Sequence, residues 1–309
     1  MGAYRDGGLF VMLSVLWGAS FVAIKAGLEH IPPVLFASLR YDIAGVLLLV
    51  YAALATDRWL PRSRADWVEV VVGSVLLIAA YNALLFVGEQ GVTSGVAAIL
   101  VATSPILTTG FSRLLLPDNR LTPLGLVGLA CGFTGVVLVA IPDPSAVTVE
   151  ALIAPGLVFL AAVSVALGSV LIERTEGDIG TEGAVAWSFT FGAVLMHVTS
   201  VFLPTESIGD LSVTVEAAVA LGYLAVFASV VGYVIYFRLL DRLGAVDINL
   251  VSYVAPVVAA VVGWLVLGET LDPLTVVGFG VIALGFVLLK RRALAERSRR
   301  LRHTLANRG

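Results

Sequence analysis

Arg40 is a charge placed where charge is expensive. It stands about eight residues inside the apolar stretch 32–55, ~12 Å along a helix at 1.5 Å per residue. Snorkelling does not free a guanidinium at that depth, so it is by default a functional hypothesis. Two readings stand: a cavity-facing cation that attracts an anionic substrate or its carboxylate, or one half of a structural ion pair. Asp42 follows two residues later and points to a different helix face, so it needs a partner of its own. Asp42 is the one acid well inside a span, and with His197 it forms the candidate set for proton coupling. Exchange or facilitated diffusion needs neither, and a satisfied buried histidine explains His197 as well. Lys25 lies one turn before the end of the first apolar run with Glu29 at i+4. A cavity role and snorkelling with that pair weigh equally.

Pro105 and Pro256 each fall in the middle of an apolar run. A proline removes a backbone N–H and frees a carbonyl about one turn earlier. Membrane helices tolerate this where neighbours or cavity water satisfy the freed groups, and matched interruptions in two halves point to a transporter site. Both prolines are therefore expected to present carbonyls to a cavity in equivalent roles; kinks that only shape the bundle are the alternative. Thr103, Ser104 and Thr108 lie beside the first, Ser252 and Tyr253 beside the second. Asn82 and Tyr233 occupy matched positions and either line the same cavity or bond between helices. Trp17 and Trp187 either wall it or pack against other rings.

Other chemistries are excluded. The single cysteine, Cys131, allows neither an intramolecular disulfide nor a multi-thiolate metal site. There is no Walker A glycine–lysine pair, no HExxH and no GxSxG elbow. Gly278, Gly280 and Ala283 superficially match a GxGxxA fingerprint, but within an apolar run they read as close-packing glycines. No cofactor, metal or nucleic-acid partner is expected.

The elements that must hold these residues follow from composition. Of 309 residues 59% are hydrophobic and 13% charged, about half the charged share of a soluble domain. Uncharged runs at 70–88, 90–112, 121–142, 151–172, 183–205, 217–237, 248–268 and 273–289 each reach the length that crosses a bilayer, about 20 residues. With 7–28 and 32–55 they make ten expected spans. The first is too long for a signal-peptide core and lacks a cleavage site. With the N-terminus inside, seventeen of the nineteen Lys and Arg fall in inside segments, and the other two are Lys25 and Arg40. The outside loops carry acids only, so the positive-inside rule puts both termini in the cytoplasm. The basic tail 291–309 reads as a stop-transfer anchor, with anionic lipid heads or a cytoplasmic partner as the alternative.

The chain also repeats itself. At an offset of 151 Pro105 falls on Pro256, Phe86 on Phe237 and Asn82 on Tyr233. At 150 Ser14-Val15 falls on Ser164-Val165, Gly18 on Gly168, Gly128 on Gly278 and Gly135 on Gly285. The halves are 1–142 and 150–290, joined through Pro142-Asp143-Pro144. Five helices per half reverse the direction of the second, giving an all-α integral membrane protein of two inverted five-helix repeats.

Trp17-Gly18-Ala19-Ser20-Phe21 with Lys25, Arg40 in the second helix, and Val254-Ala255-Pro256 followed by Leu267-Gly268-Glu269 and Leu271 carry a resemblance. Leu116-Pro117-Asp118 is a decayed copy of the last motif. In order, spacing and duplication the chain resembles the EamA-type members of the drug/metabolite transporter superfamily over nearly its whole length. The resemblance implies a ten-helix carrier whose cavity is lined mainly by helices 1–4 and 6–9, with 5 and 10 peripheral, and it adds Ser20 to the cavity candidates. It names no substrate. The expected function is secondary transport of small organic solutes by alternating access, exporting a metabolite or amino acid across a prokaryotic plasma membrane. The alternative is a non-transporting scaffold or receptor that reuses the fold. An intramembrane enzyme lacks its cluster, since His197 has no obvious company. A homodimer is an open option.

Overall fold

A computed structural model describes residues 2–115, 123–141, 148–207, 209 and 211–306, with side chains described between 5 and 289 except at 123 and 245–246. The linker Pro142-Asp143-Pro144, the segment Leu116-Pro117-Asp118 and the side chains of the basic tail lie outside the described residues. Within them the chain is helical throughout: α1 (Gly2–Gly27), α2 (Pro33–Ala55), α3 (Arg64–Glu89), α4 (Ser94–Leu115), α5 (Pro123–Ala140), α6 (Val149–Glu173), α7 (Thr181–Phe202), α8 (Val215–Leu243), α9 (Val251–Leu267) and α10 (Pro273–Ala306). A single turn, Ala245–Ile248, precedes α9.

Seven of these helices, α1–α4 and α6–α8, are long and apolar enough to cross a membrane. The apolar parts of α5, α9 and α10 are shorter, Leu124–Ala140, Val251–Leu267 and Pro273–Leu289, at the low end of the spanning range of about 17–25 residues. For α9 the cause is local. It stops at Gly268, whose φ of 68° is the left-handed conformation that ends helices, and Pro273 starts the next. Outward faces are apolar rather than wet: Val46, Val50 and Leu54 on α2, Val198 and Val201 on α7, Trp264 and Leu265 on α9 are all exposed. A contiguous surface of this kind suits lipid.

Caps set the helix starts. Ser63 and Asp66 close a capping box on α3, and Thr93, Thr148 and Thr214 accept from the first turns of α4, α6 and α8. The free N–H groups of Val34 and Leu35 at the start of α2 donate to the carboxylate of Glu206.

Both α3 and α8 contain a π-helical stretch, Gly73–Ala80 and Tyr223–Val231. Offsets of 150 at the start and 151 at the end superimpose them. Wide turns of this type are rare and gather at functional sites. Here they immediately precede the segments that carry Asn82 and Tyr233.

The principal packing pairs exchange with one another when the halves are exchanged. The α1–α9 contact corresponds to α6–α4, α1–α8 to α6–α3, and α2–α8 to α7–α3, while α2–α7, α4–α9 and α5–α10 map onto themselves. Glycines stand at several of these contacts. A Cβ on Gly18 would lie 2.6 Å from the Ala255 carbonyl of α9. Between α5 and α10, Gly128 sits against Gly285 and Gly135 against Gly278, with 2.6–2.9 Å from each built Cβ to the opposite carbonyl. The two helices therefore cross backbone to backbone and run antiparallel. Gly278 is a close-packing glycine, as expected, whereas Gly280 faces open space.

Candidate functional site

A cavity of about 490 Å³ opens between the helices. Its walls come from α1–α4, α6–α9 and Asn249 in the turn before α9, with none from α5 or α10. The lining reaches Glu69, Thr181, Leu240 and Asn249 at one end, and stops at Ile24 and Leu85 towards the other.

Arg40 is buried, 7% exposed, in this wall. Its Nε donates to Ser229 Oγ of the α8 π-helical stretch at 3.0 Å, and the guanidinium carbon lies 5.0 Å from the Tyr41 ring centroid. No carboxylate among the described residues pairs with it. Its terminal nitrogens have no hydrogen-bond partner among the described residues. A belt of rings leads away from that charge: Tyr41 on Phe189 (4.6 Å between centroids), Phe189 on Tyr233 (5.0 Å) and Tyr233 on Trp17 (5.7 Å), all at distances where ring edges and faces attract. Trp17 is fixed by its Nε1, which donates to the Ala228 carbonyl at 3.1 Å. All four rings line the cavity, as do Tyr81 and Tyr236.

Asn82 lines the cavity from α3. Its Nδ2 donates to the Ile78 carbonyl one turn back at 2.8 Å, while its buried Oδ1 has no hydrogen-bond partner among the described residues. An unsatisfied acceptor at a cavity wall is an invitation to a donor. Ser20, Ser104 and Ser252 are also in the lining, although Ser20 and Ser104 donate back to Trp17 and Val101 carbonyls.

Other candidates lie elsewhere, each for a visible reason. Lys25 is not in the lining and does not pair with Glu29; its Nζ donates to the carbonyls of Glu89, Gln90 and Val92 at 2.8, 3.0 and 2.9 Å. Thr103 is buried and bonds back to Leu100, and Thr108 to Ser104. Tyr253 turns to α10, its ring 4.6 Å from that of Phe286. Trp187 stacks between Trp59 and Phe191 and donates to the Trp59 carbonyl. Asp42 and His197 hold each other, Oδ2 to Nε2 at 2.7 Å, with His197 Nδ1 3.2 Å from Ser38 Oγ. That pair sits half-exposed on the α2–α7 seam beside apolar Val46 and Val201, away from the cavity.

The two prolines sit in different surroundings. Around Pro105 the chain breaks at Ala102-Thr103, and the freed carbonyls are taken: Val101 accepts from Ser104 Oγ and Leu100 from Thr103 Oγ1. Pro256 lies within α9, and the carbonyl one turn before it belongs to Ser252, a lining residue. Neither ring itself lines the cavity.

Comparison with known proteins shows the family. The model of the EamA-like transporter family matches residues 7–141 and again 152–291. The chain belongs to that family. The inner membrane transporter YedA of Escherichia coli K12, itself uncharacterized, is 32% identical over 284 residues, covering 92% of this chain and 89% of YedA. The uncharacterized transporter YvbV of Bacillus subtilis is 26% identical, covering 94% and 93%. A crystal structure superimposes with a TM-score of 0.65 at 20% identity, over 95% of this chain and 98% of the other, and shares the fold. As an EamA-like chain with spanning helices, the molecule is a multi-pass membrane transporter.

Sequence reasoning missed the rest of this EamA cavity. Ser229, which aims Arg40, is one small residue in an apolar run. Tyr81 and Tyr236 had a signal, since each stands within one turn of a candidate already named. Glu89 served only as the charged end of a span, yet it is fully buried.

Proposed function

We propose that this chain is a secondary carrier that exports small organic solutes bearing a carboxylate, by alternating access between two inverted five-helix halves, 1–142 and 150–290. The observation that carries the reading is Arg40, a cation in the cavity wall with no acidic partner and a belt of rings beside it. A carboxylate would take the free fork of the guanidinium, and the apolar body of the solute would lie on Tyr41, Phe189 and Tyr233. Support for the inversion comes from the exchange of packing pairs, the antiparallel glycine crossing and the double family match. The charge count favours both termini in the cytoplasm of a prokaryotic cell, which makes this conformer open towards the inside through Glu69, Thr181 and Asn249.

The test is metabolite profiling of the medium from an overproducing strain and a deletion strain, followed by efflux of the identified solute from vesicles. The expected solutes are carboxylates that accumulate outside the overproducer. A cationic solute, or no difference between strains, sinks the reading and leaves a scaffold role. Reporters fused after Gly309 and within 143–150 read the orientation, the first active only inside and the second only outside.

A further inference from the structure

Glu89, the last residue of α3, has 0% exposure, and neither carboxylate oxygen has a hydrogen-bond partner among the described residues. It lies beyond the closed end of the cavity, one turn past Leu85. A buried ionised carboxylate that accepts no hydrogen bond is among the costliest arrangements in a protein, and such groups neutralise instead. Lys25 gives the carboxylate itself no hydrogen bond. An ammonium has three donors, and Lys25 places all of them on the backbone carbonyls of Glu89, Gln90 and Val92. Among the described residues, the charged groups that act on Glu89 are Lys25 of α1, Arg40 of α2 and Glu269 after α9, with Tyr81 of α3 as a further titratable neighbour. Glu269 is already engaged, accepting from the Ser94 amide at the start of α4. From α6, what meets this turn carries no titratable group: Val158 and the Ala154 backbone pack on Gly88.

We propose that Glu89 is a proton-binding site that couples closure of this end of the carrier to uptake of one proton. Closed, the carboxyl is neutral beneath Lys25. On opening, water enters, the O–H proton leaves to that water, and the carboxylate keeps the bonding electrons. Lys25, released from its three carbonyls, then pairs with it. The proton is taken from and returned to the same face, so the pH on that face sets how often the end opens. Higher pH favours opening, because the open state holds one proton fewer. The ratio of open to closed changes up to tenfold per pH unit between the proton affinities of the two states. This deepens the carrier reading and rests on it.

Two measurements on purified protein in lipid nanodiscs test the proposal without a transported solute. Infrared spectroscopy should show the carbonyl band of a protonated, water-excluded carboxyl at neutral pH. That band should vanish in Glu89→Gln and persist in Glu269→Gln. Pulsed electron spin measurements between labels at Gln90→Cys and Asp272→Cys, in a Cys131→Ser background, should show a longer-distance population that grows up to tenfold per pH unit. In Glu89→Gln that population should stay constant with pH. A band that survives Glu89→Gln, or a distance distribution indifferent to pH in the parent, overturns the proposal. If Glu89→Gln does not insert, Glu89→Asp must shift the band, and an unshifted band counts against it equally. Solute profiling is independent of both readouts, so failure of the carrier reading is seen separately.

Discussion

The two stretches that the family model matches, 7–141 and 152–291, divide the chemistry. At the offsets of 150 and 151, Lys25, Arg40, Asn82 and Glu89 of the first half fall on Thr175, Thr190, Tyr233 and Leu240 of the second. Charge and amide come from one side, hydroxyl, ring and aliphatic side chains from the other. What close packing requires recurs in both, such as the reciprocal glycines of α5 and α10, while the cavity-wall residues differ. The cavity wall is charged on one side only, at Arg40 and Glu69, and aromatic on both, so a solute bound there would be oriented by the charge.

The largest break in that comparison is removal of the charge. Arg40→Ala is expected to lower efflux of the solute found by profiling about a hundredfold, the equivalent of about 3 kcal/mol for a lost charge-assisted interaction, with normal insertion. Arg40→Lys should recover only part of it, because an ammonium does not present the planar fork. Vesicle efflux measured against the amount of inserted protein decides. Efflux of a carboxylate at the parent rate by Arg40→Ala would falsify the assignment.

Next in size is the other first-half cation. Lys25→Met strips three carbonyls of their donor, at about 1 kcal/mol or more each, and should lower the melting temperature in detergent. It should also enlarge the longer-distance population between labels at 90 and 272. A melting point equal to that of the parent would show that Lys25 is held by those carbonyls without holding them.

The prolines test whether equivalent positions have equivalent roles. Pro256→Ala should cut efflux several-fold, because a restored N–H competes for the Ser252 carbonyl at the cavity wall. Pro105→Ala should change it little, since Thr103 and Ser104 already occupy the carbonyls near it. Equal losses in both would return the prolines to a symmetric mechanism.

The smallest effect belongs to the seam between the halves. Asp42→Asn is expected to cost no more than about 1 kcal/mol, in the range of exposed ion pairs, and to leave efflux intact. A loss of efflux comparable with that of Arg40→Ala would bring the Asp42–His197 pair into the transport pathway.

Much of this was legible beforehand, and the illegible parts share a cause. Charges at the ends of apolar runs marked the helices, because hydrocarbon tolerates few of them. The duplicated glycines of α5 and α10 meet each other across their crossing. Arg40 could be singled out by depth, yet not its partner, since Ser229 lies 189 residues away and only packing brings them together. The π-helical stretches leave no trace in hydropathy, which counts apolar residues without regard to how they are wound. Glu89 was hidden for the opposite reason. An acid closing an apolar run reads as solvated, and here Lys25 covers it from α1 and α6 seals it from the side.

The glycine seam of α5 and α10 has an evolutionary corollary. Because the crossing is made of main chain and contributes nothing to the cavity, its fit does not depend on which side chains fill the space between the other helices. Substitutions that re-line the pocket leave this joint as it was. A lineage built on it can re-line its cavity residue by residue while the α5–α10 crossing stays the same.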